Sequence, residues 1–147
     1  MSSAETIVAE ARHESPLWEE ALRDPPAWQA IFGELVPRRY ELGFETVYEA
    51  YLVHYGKPRL FDPQGDDERV LLGDYLYAHG LVRISDAGGV AAVAVMADLI
   101  SRCAALRAAG AAGDGDAWVD AARALGGEPD AAATARALEQ HAVRLAP

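Results

Sequence analysis

The stretch DDERVLLGDYLYAHGLVRI, residues 66–84, decides the fold, because its apolar residues recur at helical spacing on more than one face. Three acidic residues open it, where the helix dipole favours negative charge. A helix that is apolar on several sides is expected at the centre of a bundle, surrounded by other helices. A Ser85-Asp86 cap predicts a second helix after it, with two adjacent apolar stripes between Val90 and Leu106.

Helix signals also dominate the rest of the chain. Ser15 and Asp24 are capping residues, and each precedes a proline suited to a first helical turn. A third helix is predicted over residues 43–54, and two alanine-rich helices follow the glycine-rich break at residues 110–115. Alternating strand patterns bounded by hairpin turns are absent. We therefore predict an all-α fold, a compact bundle of about six to eight helices that forms a single domain over residues 1–147.

The charge balance excludes one class of partner. Asp and Glu number 23 against 13 Lys and Arg, a formal net charge of -10, so the basic surface that nucleic-acid binding requires is missing. Residues 1–10 hold two glutamates and no basic residue, unlike a signal peptide, and the apolar run over residues 88–100 is too short to span a bilayer. Cys103 is the only cysteine, which fits a reducing compartment. These features predict a cytoplasmic protein without a transmembrane segment.

Aromatic residues recur along one side of the predicted third helix at spacings of four and three. They are Tyr40, Phe44, Tyr48, Tyr51 and Tyr55. Such a stripe usually packs into the core. The other interpretation is that these side chains line or cap an apolar tunnel, and the sequence leaves both open.

Two motifs lie between residues 56 and 84. The first is Gly56-Lys57-Pro58, and the second is LLGDYLY at residues 71–77. At this spacing they resemble the middle of the trans-isoprenyl diphosphate synthases, in which a Gly-Lys-Pro turn follows the first aspartate-rich motif and a Leu-x-Gly-Asp-x-Leu-Leu stretch lies on a central helix. The resemblance covers about a fifth of the chain and implies a truncated isoprenoid synthase fold.

The metal-binding part of that family is missing. A working synthase holds three magnesium ions between two aspartate-rich clusters, which draw off the diphosphate leaving group. Where the first cluster is expected this chain has only Glu45 and Glu49, and no second cluster follows. His54 and Tyr55 stand where two diphosphate-binding arginines usually precede the turn. The resemblance therefore implies a non-catalytic relative, similar to the small subunits of two-component prenyl synthases that complete the product tunnel and help to set chain length.

A subunit of this kind implies a catalytic large subunit as partner, with Mg²⁺ bound there and no cofactor bound by this chain alone. The two central helices would form the interface, and a homo-oligomer is the alternative when the chain is alone. Gly73 inside a helix predicts that another helix passes close by, and Asp74 is expected to be a buried, hydrogen-bonded carboxylate. The interface or tunnel candidates are Tyr48, Tyr51, Tyr55, Leu72, Gly73, Asp74, Leu76 and Met96, and the motif residues are Gly56, Lys57 and Pro58.

A stand-alone helical protein, either an interaction module or a metal- or ligand-binding bundle, is the alternative. His54, His79 and His141 are candidate metal ligands, although their spacing does not single them out, and a Glu-x-x-His pair ends at His13. We expect His79 to be a hydrogen-bonded core histidine and His141 to lie on a solvated face. Cys103 lies on an apolar helical stripe with Met96, Leu99 and Leu106, which favours a buried thiol over a nucleophile.

Overall fold

The computed structural model describes all 147 residues and is built from helices, with no β-strand. Two 3-10 turns, Gly33–Leu35 and Arg38–Tyr40, precede the third helix. The predicted all-α class is confirmed. The six α-helices are α1 Ser3–Glu14, α2 Pro16–Glu20, α3 Glu41–Tyr55, α4 Asp66–Ala108, α5 Asp114–Ala124 and α6 Ala131–Leu145.

The helix count is on the low side of the predicted number because the helix expected after Asp24 does not form and the two helices predicted around Ser85 are joined in α4. The backbone groups after Asp24 bond elsewhere: the Ala27 N–H donates to the Arg59 carbonyl over 2.9 Å. The N–H groups of Ile31 and Gly33 donate to Glu45 Oε1 over 2.8 and 3.0 Å. Tertiary partners therefore replace the intrahelical bonds, and the segment crosses the bundle in an irregular conformation.

The chain begins with a helix that the sequence analysis did not identify. The Ser2 hydroxyl caps α1 by accepting from the Glu5 N–H over 3.1 Å. Ile7 and Ala11 lie one turn apart and are buried. They pack in a small core with Trp18 of α2 and with residues of α3 and α4.

The two helices that were predicted on either side of Ser85 are joined end to end in α4, and the break between them lies at Gly89. The α4 backbone continues through Ser85 and kinks only at Gly89, whose φ of 69° and ψ of -160° are not helical. By length and composition alone, α4 contains an 18-residue window apolar enough to cross a bilayer, and 22% of that window is buried. This window is longer than the run over residues 88–100 from which the absence of a span was predicted.

The most enclosed helix is α3, so the prediction that the helix at residues 66–84 is surrounded was wrong. Every residue from Gly43 to Val53 is buried, whereas α4 packs against α3 on one side and is exposed on the other. The two helices approach closely at glycines. A side chain at Gly80 would meet Val47 Cγ2 at 2.5 Å, and one at Gly73 would overlap the His54 ring. The predicted close passage of a helix at Gly73 is confirmed.

Candidate functional site

A fully buried ion cluster lies at the junction of α3, the irregular N-terminal segment and the turn after Pro58. Arg59 Nη1 donates to Glu45 Oε2 over 2.7 Å, and Arg59 Nε donates to Glu49 Oε1 over 3.0 Å. All three side chains have no exposure to solvent. Glu45 and Glu49 are four residues apart, so both point from one face of α3 toward the same guanidinium.

Backbone donors complete the coordination of these carboxylates. Glu49 accepts from the N–H groups of Arg59 and Leu60 at 2.9 and 2.7 Å, and Glu45 accepts from Ile31 and Gly33. The guanidinium also donates to the Gln29 carbonyl over 2.8 Å. Every charge in the cluster therefore has partners within the chain, as a buried ion requires.

The electrostatics of the cluster hold Arg59 in its charged form. Burial disfavours the cation, but the two glutamates outweigh that cost and keep the pKa of Arg59 above its ordinary value. The guanidinium lies over the Trp28 ring at 4.1 Å and the Tyr48 ring at 5.0 Å, and both aromatic faces favour a cation. With both carboxylates saturated and no solvent access, the cluster organises the fold and offers no open ligand position.

Arg59, Trp28 and the role of Glu45 were missed by the sequence analysis. The available signal was the position of two glutamates four apart on the same helix as the aromatic stripe. Carboxylates on a buried helix need a cation nearby. Arg59, directly after the Gly-Lys-Pro turn, is the first arginine that follows them in the sequence.

A second polar network joins α3, α5 and α6 inside the larger core. The Tyr48 hydroxyl and His141 Nδ1 are 2.7 Å apart, and the Tyr51 hydroxyl donates to Asp114 Oδ2 over 2.6 Å. His141 Nε2 lies 3.2 Å from the same Asp114 oxygen but is not aligned as a hydrogen bond, so that contact is chiefly electrostatic. The expectation that His141 is solvated was wrong, because it is buried against Phe32 and Tyr48.

These contacts set the protonation of the network. Burial would raise the pKa of Asp114, but its contacts with His141 and Tyr51 outweigh burial and hold that pKa well below the ordinary carboxyl value. Burial raises the pKa of Tyr48, and burial together with the Asp114 bond raises the pKa of Tyr51. At neutral pH the network contains one carboxylate and two neutral phenols, and it ties the C-terminal helix to α3.

Cys103 lies in the core, as expected. Its side chain is buried beside the α5 residues of the larger core, and burial, followed by the negative charge of Asp114, raises the pKa of its thiol to about 12. A thiol with that pKa holds almost no thiolate at neutral pH. Cys103 is therefore placed as a small apolar core residue.

The candidate metal ligands do not converge. His54 stacks on Tyr77 with ring centroids 5.1 Å apart, and His79 lies 3.7 Å from Glu10 Oε2, with its side chain 39% exposed and not in the core as expected. Glu10 itself pairs with Arg83. No group of three or more His, Cys, Asp or Glu side chains is close enough to hold a metal ion.

The predicted interface and tunnel residues fall into two groups, a pair that is exposed to solvent and six residues that are buried inside the chain. Tyr55 is 39% exposed, and Asp74 has a side chain that is 69% exposed, 3.5 Å from His54 Nε2, so its predicted burial was wrong. Of the aromatic stripe, only Tyr40 lines one of the five surface clefts, and Phe44, Tyr48, Tyr51 and Tyr55 line none. The residues buried inside the chain are Tyr48, Tyr51, Leu72, Gly73, Leu76 and Met96, and the turn Gly56-Lys57-Pro58 lies against the end of α6, where the Lys57 N–H donates to the Arg144 carbonyl over 2.9 Å.

Four of the eight exposed large apolar residues of the chain lie on α4. Leu71 is 57% exposed and Val82 is 60% exposed, although both are large apolar residues in a well-packed chain. Val70 and Val90 are exposed as well. Apolar side chains that share one helix side and face solvent mark a surface for another molecule.

No protein-family model, curated protein or solved structure matches this chain.

Proposed function

We propose that the chain is a non-catalytic small subunit of a heteromeric trans-prenyl diphosphate synthase. It would pair with a catalytic large subunit in the cytoplasm, help to set product chain length, and leave the binding of Mg²⁺ to its partner. The observation that carries the proposal is the exposed apolar side of α4, because a helix that buries one side and leaves large apolar residues on the other is suited to pairing.

The ion cluster supports the non-catalytic part of the proposal. Glu45 and Glu49 occupy the place where the resemblance puts the first aspartate-rich cluster, and Arg59 forms an ion pair with each of them. A metal ion would have to displace a buried guanidinium and several backbone donors to reach these oxygens. Arg59 thus binds the carboxylates that stand where a synthase would bind magnesium.

The glycine contacts support the part of the proposal that concerns the fold. Gly73 belongs to the motif shared with the synthases, and its lack of a side chain makes room for the His54 ring of α3. Leu72 and Leu76, on the same motif, are buried against α1 and α3. The motif residues therefore lie at a helix crossing, which is the role that the resemblance assigns to them.

The test is a pull-down of the tagged chain from its native host, followed by a prenyl-transfer assay on the proteins that co-purify. We expect a full-length synthase whose activity or product length changes when this chain is removed. The matched bait carries Val82→Asp, which should lose the partner, and the control bait carries Val143→Asp on α6. Turnover of an allylic diphosphate by the isolated chain with Mg²⁺ would overturn the proposal.

A stand-alone interaction protein is the second candidate, because the same side of α4 would serve it equally well. The pull-down separates the two. Recovery of a partner without prenyl-transfer activity, or of the chain alone as a stable homodimer, favours the stand-alone protein.

A further inference from the structure

The exposed side of the first half of α4 carries a regular strip of six residues at spacings of four, three, four, four and three. This strip, called the α4 strip below, consists of Asp67, Leu71, Asp74, Ala78, Val82 and Ser85, and all six residues are exposed. The spacing keeps them on one side of the helix. The strip therefore presents apolar and acidic side chains together on a single surface.

No free cation lies on this surface. Arg69 and Arg83 are the arginines of this half of α4, and both turn inward. Arg69 donates to the Val53 carbonyl over 2.8 Å, and Arg83 donates to the Thr46 hydroxyl and pairs with Glu10. His54 Nε2 lies 3.5 Å from Asp74 Oδ1, but burial lowers the pKa of that imidazole, so the charges left to face a partner at neutral pH are carboxylates.

A second copy of the chain is a poor occupant for the α4 strip. Parallel pairing would place aspartate against aspartate, and antiparallel pairing would place aspartate against apolar side chains, since the strip has no cation to offer. Either arrangement leaves a carboxylate without a partner at the interface. The net charge of -10 on each copy adds repulsion at longer range. An anionic lipid surface is disfavoured for the same reason.

We propose that the α4 strip docks a helix of a different protein, one with an apolar stripe flanked by lysine or arginine. Asp67 and Asp74 are seven residues apart, about 10 Å along the helix axis, so the complementary cations lie about two helical turns apart on the partner. Leu71, Ala78 and Val82 pack against its apolar stripe. This inference deepens the proposed function, on which it rests for the existence of a partner, by assigning the docking surface and the partner's chemistry.

The test uses two labelled helical peptides with the same leucine and alanine stripe. One carries lysines seven residues apart beside the stripe, and the other carries glutamates at those positions. In fluorescence anisotropy we expect the intact chain to bind the basic peptide at least tenfold more tightly than the acidic one. The double variant Asp67→Lys and Asp74→Lys should reverse that preference. Both chains can be measured with both peptides, because exposed positions tolerate such changes.

Replacing an apolar residue of the strip by aspartate distinguishes docking on the apolar residues from simple charge attraction. Leu71→Asp and Val82→Asp should weaken binding of the basic peptide at least tenfold, although each makes the chain more acidic. The matched control is Val143→Asp on α6, which starts from a similar exposure of 65% and should leave binding unchanged. Stronger binding by all three variants would mean non-specific attraction and would overturn the proposal.

Two further measurements decide between occupants. Sedimentation that shows a dimer abolished by Val82→Asp would assign the strip to a second copy, and co-flotation with phosphatidylserine vesicles that is lost in the same variant would assign it to lipid. Either result overturns the proposal. A prenyl synthase recovered equally well by the Val82→Asp bait would leave the proposed function standing while this inference fails. If the chain binds the basic peptide selectively but its partner has no prenyl-transfer activity, the inference about the α4 strip stands and the proposed function fails.

Discussion

Arg59 Nη1 lies 2.7 Å from Glu45 Oε2 at a place where neither side chain reaches solvent. The same guanidinium is 3.0 Å from Glu49, so one cation pairs with two carboxylates that project from adjacent turns of α3. Glu45 also holds the backbone of Ile31 and Gly33. The position of the irregular segment before α3 therefore depends on a carboxylate that Arg59 keeps in place.

Replacement of Arg59 by methionine should be among the most destabilising single changes in the chain. Methionine fills much of the same space but leaves two buried carboxylates without a cation, which costs about 3–5 kcal/mol in comparable buried pairs. A domain of this size has a total stability of about 5–15 kcal/mol. Urea unfolding monitored by circular dichroism measures the change.

Two controls for Arg59→Met distinguish the effect of leaving buried carboxylates without a cation from the effect of replacing any arginine by methionine. Arg136→Met, at an exposed position of α6, should change the free energy of unfolding by less than about 0.5 kcal/mol. Adding Glu45→Gln and Glu49→Gln to Arg59→Met removes the unpaired charges and should recover part of the loss. A loss below about 1 kcal/mol for Arg59→Met alone would contradict the assigned role.

The two glycines of α4 that face α3 should respond differently to alanine. A methyl group at Gly80 would meet Val47 Cγ2 at 2.5 Å and the Val47 backbone nitrogen at 3.0 Å, and the backbone cannot move aside. Overpacking of about 1–3 kcal/mol exceeds the gain of about 1 kcal/mol in helix propensity, so Gly80→Ala should lower stability.

At Gly73 the obstructing atoms belong to the His54 side chain and not to the backbone, so they can shift more easily than the Val47 nitrogen. Gly73→Ala should therefore change stability by less than about 1 kcal/mol, because the gain in propensity offsets the rearrangement. Thermal unfolding of the two variants side by side provides the comparison. Equal losses would mean that His54 is as rigidly held as the Val47 backbone.

The fold class could be predicted from local patterns because helix caps, glycines and apolar periodicity are local properties of the sequence. The acidic start of α4 and the break near Gly110 lie where those patterns place them. The segment after Asp24 could not be predicted in the same way. Its helix-like start competes with Glu45 and Arg59, which lie many residues away in sequence, and the tertiary bonds prevail.

The same distinction explains the errors at individual residues. Asp74 shares a helical stripe with apolar residues, and the stripe predicted burial, but α4 turns that side to solvent. His141 has polar neighbours in sequence, yet α6 turns it toward Tyr48 and Asp114. Periodicity shows which residues share a side of a helix. It does not show which side another helix covers.

Cys103 should be nearly inert toward thiol reagents while the chain is folded. Burial and the nearby Asp114 charge raise the pKa of its thiol to about 12, so thiolate is scarce at pH 8 and the sulfur is also shielded. Reaction with a chromogenic disulfide should be at least a hundredfold slower than in urea. A matched control is Ser101→Cys on the exposed side of α4, which should react at the rate of a free thiol. Rapid labelling of native Cys103 would show that α4 and α5 separate readily.

Asp114 should make the stability of the chain depend on pH in the acidic range. Its pKa is lower in the folded chain than in the unfolded one, so the carboxylate stabilises the fold fully above the unfolded value of about 3.9, and this contribution is lost as the pH falls through the folded value. Asp114→Asn removes the charge that faces His141 and weakens the bond from Tyr51. We expect a loss of about 1–3 kcal/mol at pH 5, and the gap from the parent chain should narrow as the pH falls below about 4. Asp116→Asn, exposed in the same helix, should give a curve parallel to that of the parent. Urea unfolding at a series of pH values between 2 and 5 measures both curves, and a gap that stays constant over that range would mean that Asp114 stabilises the fold through its shape and not through its charge.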